Sequence, residues 1–583
     1  MWQYKAPLRD MRFVLEHWLQ APAAWVELPA FTDLDLPLAV QVLEEAARFS
    51  AGVLAPLNAS GDRRGCRWQD GDVTTPDGFA AAYRAYVEGG WPALACDPAQ
   101  GGQGLPQLLD AALQEMLYAS NHAWAMYTGI AHGAYLCLQA HAPLPLRERY
   151  LPAIVSGESL PTMCLTEPQA GSDVGLLRCR AEPQADGSYQ LTGSKLFISG
   201  GEHDLTEDIL HLVLARLADA PAGTRGISLF LVPKRLDDGR RNAVRCDGIE
   251  HKMGIKGSAT CSLSFDGAQG WLIGEANRGL AALFVMMNSA RLHVGLQGLG
   301  HAEAAWQNAA DYARERRQMR APSRPEGATA APADPIHYHP AMRLALLRLR
   351  TVSQGLRVIG YWGAHLLDQA EHAASEVERQ QASRLTGLLT PVIKAFFTDQ
   401  GFQLASEALQ VFGGYGYIGE YAIEQTLRDS RIAMIYEGSN EIQANDLLLR
   451  KVLGDNGVAL GELLAVFEQE AAAGGTYAEQ LSGLCTKLRV LVKGIFKRTE
   501  GDAEYPYRIA GDFLHLLGWA LLAYAWARSA RLASALLADD PWYQEKLDGA
   551  AFFFSYLMPE SDLRIARIEA ARAPLGFLTN AAC

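Results

Sequence analysis

The chain holds nine cysteines in 583 residues, with no C-x-x-C pair and no Cys/His spacing that fits zinc. A zinc ribbon and a disulfide framework are thereby excluded. Reduced thiols in a cytoplasmic compartment are the expectation. Basic charge is also short: 52 Lys and Arg against 65 Asp and Glu leave a net charge of −13. That sign is wrong for a nucleic-acid surface, so no nucleic acid is expected as a partner, and an anionic ligand needs arginines of its own. The opening, MWQYKAPLRDMRFVLEHW, lacks the basic start and apolar core of a secretory signal. The longest apolar region, residues 513–527, contains His515 and Gly518. At about 15 residues it is short for a membrane span, so it reads as a buried helix and no transmembrane segment is expected. What remains is a globular composition, 49% hydrophobic and 20% charged, with length for about three to four domains.

The periodicity divides the chain. Residues 1–158 read as an α-helical domain, with apolar spacing such as AVQVLEEAARFSAGVLAPLN and turns at GGQGLP. Over 159–278 the period switches to two, in SYQLTGSKLFISG, ILHLVLARL, GISLFLVPK and ATCSLSF, with an Asp186-Gly187 hairpin signal; this predicts an antiparallel β domain. The helical period returns over 279–460. There a helix is expected from Leu283 to about Met319, then a loop containing five prolines. Further helices are expected from Leu344 to Ala370 and from a Thr390-Pro391 start to a stop at Gly413-Gly414. An Ala/Gly patch near 471–475 precedes a helical extension, 471–583. The fold class expected is α+β, in the order α, β, α, with an extra helical tail.

Three stretches carry chemistry. In AMIYEGSNEIQ, Tyr436 and Glu437 end an apolar run, Gly438 breaks it, and Ser439 or Asn440 can cap the helix that follows. Glu437 then lies just outside a helix N-terminus, a place for a general base or equally for a capping acid. LTEPQAGSD sets Thr166 and Ser172 around a turn made by Pro168 and Gly171; it exposes short donors for a flat ring or a thioester, or is a surface turn. KLFISGG puts Phe197 and Ser199 on one face of a strand, an aromatic wall beside a hydroxyl or ordinary core packing.

Together with HKMGIKGSATCSLSFDG, YARERRQ and ALQVFGGYGY, these stretches occur in the order and spacing of the acyl-CoA dehydrogenase family, and the whole chain resembles its larger bacterial members. The resemblance implies an α-helical domain, a β domain and a four-helix domain, with FAD as cofactor and acyl-CoA as substrate. By the same resemblance Leu165 and Thr166 hold the flavin's pyrimidine side, Phe197 and Ser199 lie against the ring, and Ser172 lines the acyl-CoA channel. Phe197 and Ser199 stand where the family usually has Trp and often Thr. Arg316 matches the arginine that reaches the pyrophosphate of a neighbouring subunit's FAD, which suits a guanidinium fork. Gln410, Gly413 and Gly414 match the turn that receives the adenosine half. Arg316 reads otherwise as a solvated charge.

Arg291 matches an arginine on the CoA side of the cleft, or forms a surface ion pair. Tyr436 and Gly438 flank the base on the substrate side, and Ser439 and Glu441 follow it near the cofactor. Because Arg316 and Gln410 would serve a partner's cofactor, an oligomer is implied, and a homodimer is expected because the apolar tail after about residue 471 should cover the helical core in place of a second dimer. The resemblance further implies that Glu437 takes the α-proton as the β-hydrogen leaves as hydride to the flavin. A trans-2-enoyl-CoA results, in fatty acid β-oxidation, with an electron-transfer flavoprotein as acceptor. The acyl group is a fatty acyl or a methylthio-propanoyl thioester. An acyl-CoA oxidase, a DNA-binding flavoprotein of the same superfamily and a catalytically silent scaffold are the alternatives.

Overall fold

The computed structural model describes residues 2–329 and 331–571. The first domain is helical around α1 (Gln107–Thr128), which is buried along its length and breaks its dihedrals at Asn121 (φ −160°, ψ 85°). Asn121 repairs the break itself: its side-chain oxygen accepts the Trp124 N–H at 3.1 Å, and its amide donates to the Leu54 carbonyl at 3.3 Å. This is a capping arrangement in mid-helix, and it restarts the chain at the turn that carries His122 and Met126.

The second domain is a seven-stranded sheet of β1 (Ser159–Cys164), β2 (Arg180–Pro183), β3 (Tyr189–Ser199), β4 (Asp208–Ala215), β5 (Ser228–Pro233), β6 (Val244–Ile249) and β7 (Thr260–Ile273). The spatial order is β1-β4-β5-β7-β3-β2, with β6 also paired to β7. The sheet is mixed rather than antiparallel. β1 runs parallel to β4, from Ser159 opposite Asp208 to Cys164 opposite Val213, and the other pairings are antiparallel. Period-two patterning reports which face is buried and carries no information on strand direction, which long crossovers decide. The Asp186-Gly187 hairpin forms, with Gly187 at φ 83° and Pro183 opposite Tyr189.

Three long helices follow: α2 (Gly279–Glu315), α3 (Pro340–His372) and α4 (Glu376–Phe412). The Pro-rich stretch between α2 and α3 is a loop with one short 3₁₀ turn at Ile336–Tyr338. Helix α4 begins fourteen residues before the expected Thr390. Ser375 caps it, accepting the Glu378 N–H at 3.2 Å, and Pro391 lies inside the helix. Buried packing of Leu388, Leu389, Val392 and Phe396 outweighs the lost backbone donor, so the proline is not a start signal here. Gly413 ends the helix as expected, at φ 61°.

Helices α2 and α4 touch backbone to backbone. A Cβ on Gly295 would meet the Ile393 carbonyl oxygen at 2.8 Å, and one on Gly298 the Phe397 carbonyl oxygen at 2.4 Å. This approach brings Arg291, one turn before Gly295, and Lys394, next to Ile393, toward the same loop. That loop leads into the short helix α5 (Asn440–Asn445) and a π-helical turn, Asp446–Leu453.

The extension is helical and packed over residues 458–570. Its longest helix, α6 (Tyr505–Leu536), sets Trp519 edge-on to Phe396 of α4 at 5.2 Å between ring centroids and bonds Trp526 Nε1 to the Thr351 carbonyl at 3.2 Å. By length and composition α2 and α6 qualify to cross a membrane, and 83% of the α6 window is buried inside the protein. This is the packing of core helices. The N-terminus joins the same core: buried Arg357 of α3 pairs with Asp10, Glu115 and Glu303, and Lys546 of the extension pairs with Asp10. The cysteines among the described residues are free thiols.

Candidate active site

The glutamate loop is clamped from below. Glu437 has φ 56° and Gly438 φ 85°, two successive left-handed residues. The φ of Gly438 favours glycine, and a Cβ there would also press on Gln443 Nε2 at 2.7 Å. A left-handed glutamate is strained, and such strain persists where the surroundings impose it. Here Gln443 Nε2 donates to the Glu437 carbonyl at 3.1 Å, and Lys394 Nζ donates to the Gly438 carbonyl at 2.8 Å and to Asn440 Oδ1 at 2.9 Å.

Ser439 stands at the N-cap position, but no side chain caps the helix. Asn440 instead donates to the Ala395 carbonyl, Thr398 Oγ1 and Asp399 Oδ1 at 3.2, 3.1 and 2.7 Å. The expected cap is therefore spent on holding α5 to α4. Ser439 bonds the exposed Glu441 carboxyl and holds it below its usual value.

The electrostatics suit a base. Burial pushes the Glu437 carboxyl up, while the Arg291 guanidinium and the Lys394 ammonium oppose that rise. Burial in turn pulls Lys394, fully inaccessible, down to about 8, with Glu437 and Asp399 holding it up. Arg291 is largely buried, its nearest carboxylate is Asp446 at 4.0 Å, and its Nε has no partner among the described residues. It is a cation facing the loop rather than half of a surface pair. Tyr436 turns the other way. Its hydroxyl bonds Gln297 and lies 3.4 Å from His122 Nε2 and from the Met126 sulfur.

A second constellation lies on the sheet. Phe197 is 60% exposed and left-handed at φ 59°, at a bulge where the register with β7 shifts between Lys195 and Ile198. Burying an aromatic in the core would give neither property. Ser199 follows on the same, more exposed side. The turn carrying Leu165, Thr166 and Ser172 is fastened to this strand: the Leu196 N–H donates to the Thr166 carbonyl at 2.9 Å. Buried Lys195 bonds the Leu165 carbonyl at 3.0 Å and Glu167 at 2.8 Å. Glu167 also accepts the Arg178 and Cys179 N–H groups, and these donors together with Lys195 hold its carboxyl low against the effect of burial. Ser172 is exposed on the turn.

The third constellation is a groove of about 640 Å³ lined by Arg316, Met319, Gly413, Gly414 and Tyr415. Arg316 lies 5.1 Å above the Tyr415 ring, and Tyr312 stacks on Phe412 at 4.1 Å. Gln410, exposed on the last turn of α4, accepts the cap N–H with its carbonyl. The loop carrying HKMGIKGS joins the β domain to the glutamate segment: the Ile255 N–H bonds Asp429, and Arg428 bonds the Met253 carbonyl at 3.0 Å.

Sequence reading missed Lys394, Gln443 and the Lys195–Glu167 pair, and read Asn440 only as a cap candidate. Two signals were present, a single lysine inside the apolar run PVIKAFF and another opening the motif KLFISGG within β3. A lysine in an apolar element needs a buried partner.

Comparison with known proteins agrees in extent and order. Residues 162–268 match the acyl-CoA dehydrogenase middle domain, 277–451 the acyl-CoA dehydrogenase C-terminal domain, and 460–576 the acetyl-CoA dehydrogenase C-terminal-like domain. The chain is 38% identical over 582 residues to the 3-methylmercaptopropionyl-CoA dehydrogenase of Ruegeria pomeroyi, covering 97% of this chain and 98% of that one. In fold it is similar to ACDH-11 of Caenorhabditis elegans in complex with C11-CoA (TM-score 0.76, 20% identity, 97% and 93% of the two chains). It is likewise similar to an acyl-CoA dehydrogenase of Bacillus anthracis complexed with FAD (TM-score 0.74, 21% identity, 94% and 91%).

Proposed function

The chain belongs to the acyl-CoA dehydrogenase family, and from that premise we propose that Glu437 is the base that removes the α-proton when an acyl-CoA is dehydrogenated to a trans-2-enoyl-CoA. The observation that carries this reading is the clamped, left-handed Glu437, its carboxyl raised by burial and flanked by Arg291 and Lys394. A proton α to a thioester is too weakly acidic for a carboxylate in water. The site must desolvate the base and stabilise charge on the thioester oxygen. Among the described residues the Glu437 N–H donates no hydrogen bond, which leaves it for that oxygen.

The residues present fit FAD. Phe197 offers a bare ring with Thr166 and Ser199 beside it. At the Arg316 groove, a Cβ on Gly413 or Gly414 would meet nothing within 4 Å, so a diphosphate can lie against bare backbone. FAD held by these residues would supply the acceptor for the β-hydride. Thr166 and Ser199 would orient the ring of the chain's own FAD, and Arg316 would neutralise the pyrophosphate of a partner's. Ser172 and Arg291 would receive the CoA side, with Tyr436 and Gly438 against the acyl group and Ser439 and Glu441 at the cofactor edge.

We read Arg316, Gln410, Gly413 and Gly414 as serving the partner's cofactor, which makes the working unit a homodimer. The electron-transfer flavoprotein is the proposed acceptor, in a cytoplasmic β-oxidation pathway. The activity for which the Ruegeria relative is named and the polar Tyr436–Gln297 contact beside the base favour a short acyl group, including a methylthio-propanoyl thioester. The test is anaerobic bleaching of the FAD-loaded protein by short, medium and long acyl-CoAs and by that thioester. Bleaching strongest among the short ones is expected. No bleaching by any of them, with FAD bound, would sink the reading.

A further inference from the structure

We propose that His515, carried by the C-terminal extension, is a positioning residue for the glutamate loop and acts on it through Asp399, Asn440 and Lys394. The proposal rests on the reading of Glu437 as base. The chain of contacts is continuous. His515 Nε2 lies 2.9 Å from Asp399 Oδ2. Asp399 Oδ1 accepts from Asn440 Nδ2 at 2.7 Å. Asn440 Oδ1 accepts from Lys394 Nζ at 2.9 Å, and Lys394 Nζ donates to the Gly438 carbonyl at 2.8 Å. Every intermediate group is buried or nearly so, with side-chain exposures of 16% for His515 and 13% for Asp399 and 0% for Lys394. The hydrogen bonds are therefore little diluted by water.

The direction of each bond is fixed by its neighbour. A carboxylate only accepts, so His515 presents a protonated Nε2 to Asp399. Nδ1 is buried with no partner among the described residues, so the Asp399 contact is the single polar anchor of the ring, which otherwise packs edge-on to Phe396 at 5.6 Å. With both Asp399 oxygens engaged, the carboxylate cannot rotate. Asn440 turns its amide toward Asp399, the Ala395 carbonyl and Thr398 Oγ1, and its oxygen toward Lys394, whose ammonium can only donate. That oxygen and the Gly438 carbonyl hold the Lys394 ammonium beneath the loop, next to the strained pair Glu437 and Gly438. Without the His515 donor, Asp399 is free to turn, Asn440 Nδ2 keeps the Ala395 carbonyl and Thr398 Oγ1 but loses its shortest acceptor, and the loop loses part of what over-determines its left-handed backbone. The extension thus does more than cover α4: one of its side chains completes the polar support of the base.

The experiment uses the full-length protein loaded with FAD, as wild type, His515→Leu and His515→Gln. Leucine fills space without a donor, whereas glutamine keeps an N–H for Asp399. Two readouts are taken: hydrogen exchange of a peptide spanning residues 435–443, and the anaerobic bleaching rate at saturating acyl-CoA beside substrate affinity from the spectral shift. His515→Leu should speed exchange of the loop and slow bleaching about tenfold, as befits loss of one hydrogen bond to a charged group, with affinity within about threefold. His515→Gln should restore both. Wild-type exchange and rate in the leucine variant would overturn the proposal. Equal impairment of leucine and glutamine would overturn it too, since shape rather than the donor would then be at work. Should His515→Leu fail to fold, Asp399→Asn carries the same readouts, and wild-type values there would overturn it. If the wild type itself bleaches with no acyl-CoA, the functional reading fails, and the exchange data still decide the role of His515.

Discussion

Replacing Phe197 with glycine should leave the apo protein about as stable and weaken its hold on the flavin. The residue sits at φ 59°, where an L side chain costs roughly 1–2 kcal/mol. Glycine removes that cost but gains freedom in the unfolded chain, worth roughly 0.4–1 kcal/mol against it. The ring is 60% exposed, so its covered part contributes roughly 0.6–1.2 kcal/mol, and the net expectation is an apo stability within about 1 kcal/mol of wild type. In the loaded protein the same change removes an aromatic wall. Ring–ring contacts are worth about 0.5–1.5 kcal/mol beyond burial, or roughly two- to twelvefold in FAD affinity. The assay is urea unfolding of apo Phe197→Gly beside a FAD titration followed by flavin fluorescence. A variant destabilised by more than about 1 kcal/mol would mean that the ring is a core residue. Unchanged FAD affinity would mean that it does not face the flavin.

Arg316→Ala should lose FAD and loosen the dimer together, because the groove it lines is read as the partner's cofactor site; flavin retention and sedimentation unchanged from wild type would refute the shared site. Asp429→Asn tests the joint between the β-domain loop and the glutamate segment. Burial raises the Asp429 carboxyl from 3.8 to about 6, so the folded wild type holds that proton more tightly than the unfolded chain. Its contribution to stability is full below about pH 4 and is lost as pH rises through about 6. The difference corresponds to roughly 3 kcal/mol. Asparagine does not titrate, so denaturant melts should show the variant gaining on wild type by up to that amount between about pH 4 and pH 8, and a pH-independent difference would contradict the assignment.

Local signals were legible where a single residue type forces a backbone. Gly413 as the stop of α4, Asp186-Gly187 as a hairpin and the Pro-rich loop after α2 all behave as their chemistry dictates. The buried face of each strand was legible from alternation, but the parallel β1–β4 pairing was not, because direction depends on which distant segment lies alongside. Pro391 misled for a related reason: helix-start statistics describe isolated signals, and packing on both flanks carried the helix through it. At the site, Glu437, Phe197 and Arg316 stood out through motif order. Lys394, Gln443 and the holding role of Asn440 did not, since they arise only when α2 and α4 close on each other at Gly295 and a loop more than forty residues downstream settles on α4. His515 was hidden further still, inside an apolar run that reads as a buried helix and is one.

The most direct test is a single-turnover measurement on Glu437→Gln. Glutamine is nearly isosteric and keeps the main-chain N–H, so FAD and acyl-CoA should bind as in wild type, as read from the flavin spectral shift. Burial raises the Glu437 carboxyl and only the ionised form can take a proton. The wild-type anaerobic bleaching rate should therefore fall as pH drops through a value above the usual glutamate range near about 4.3. The variant should show no such titration and bleach more slowly by about 10⁴-fold or beyond, the upper end of what a positioned general base supplies. Bleaching within about tenfold of wild type, with ligand bound, would contradict the account and place the base on another residue.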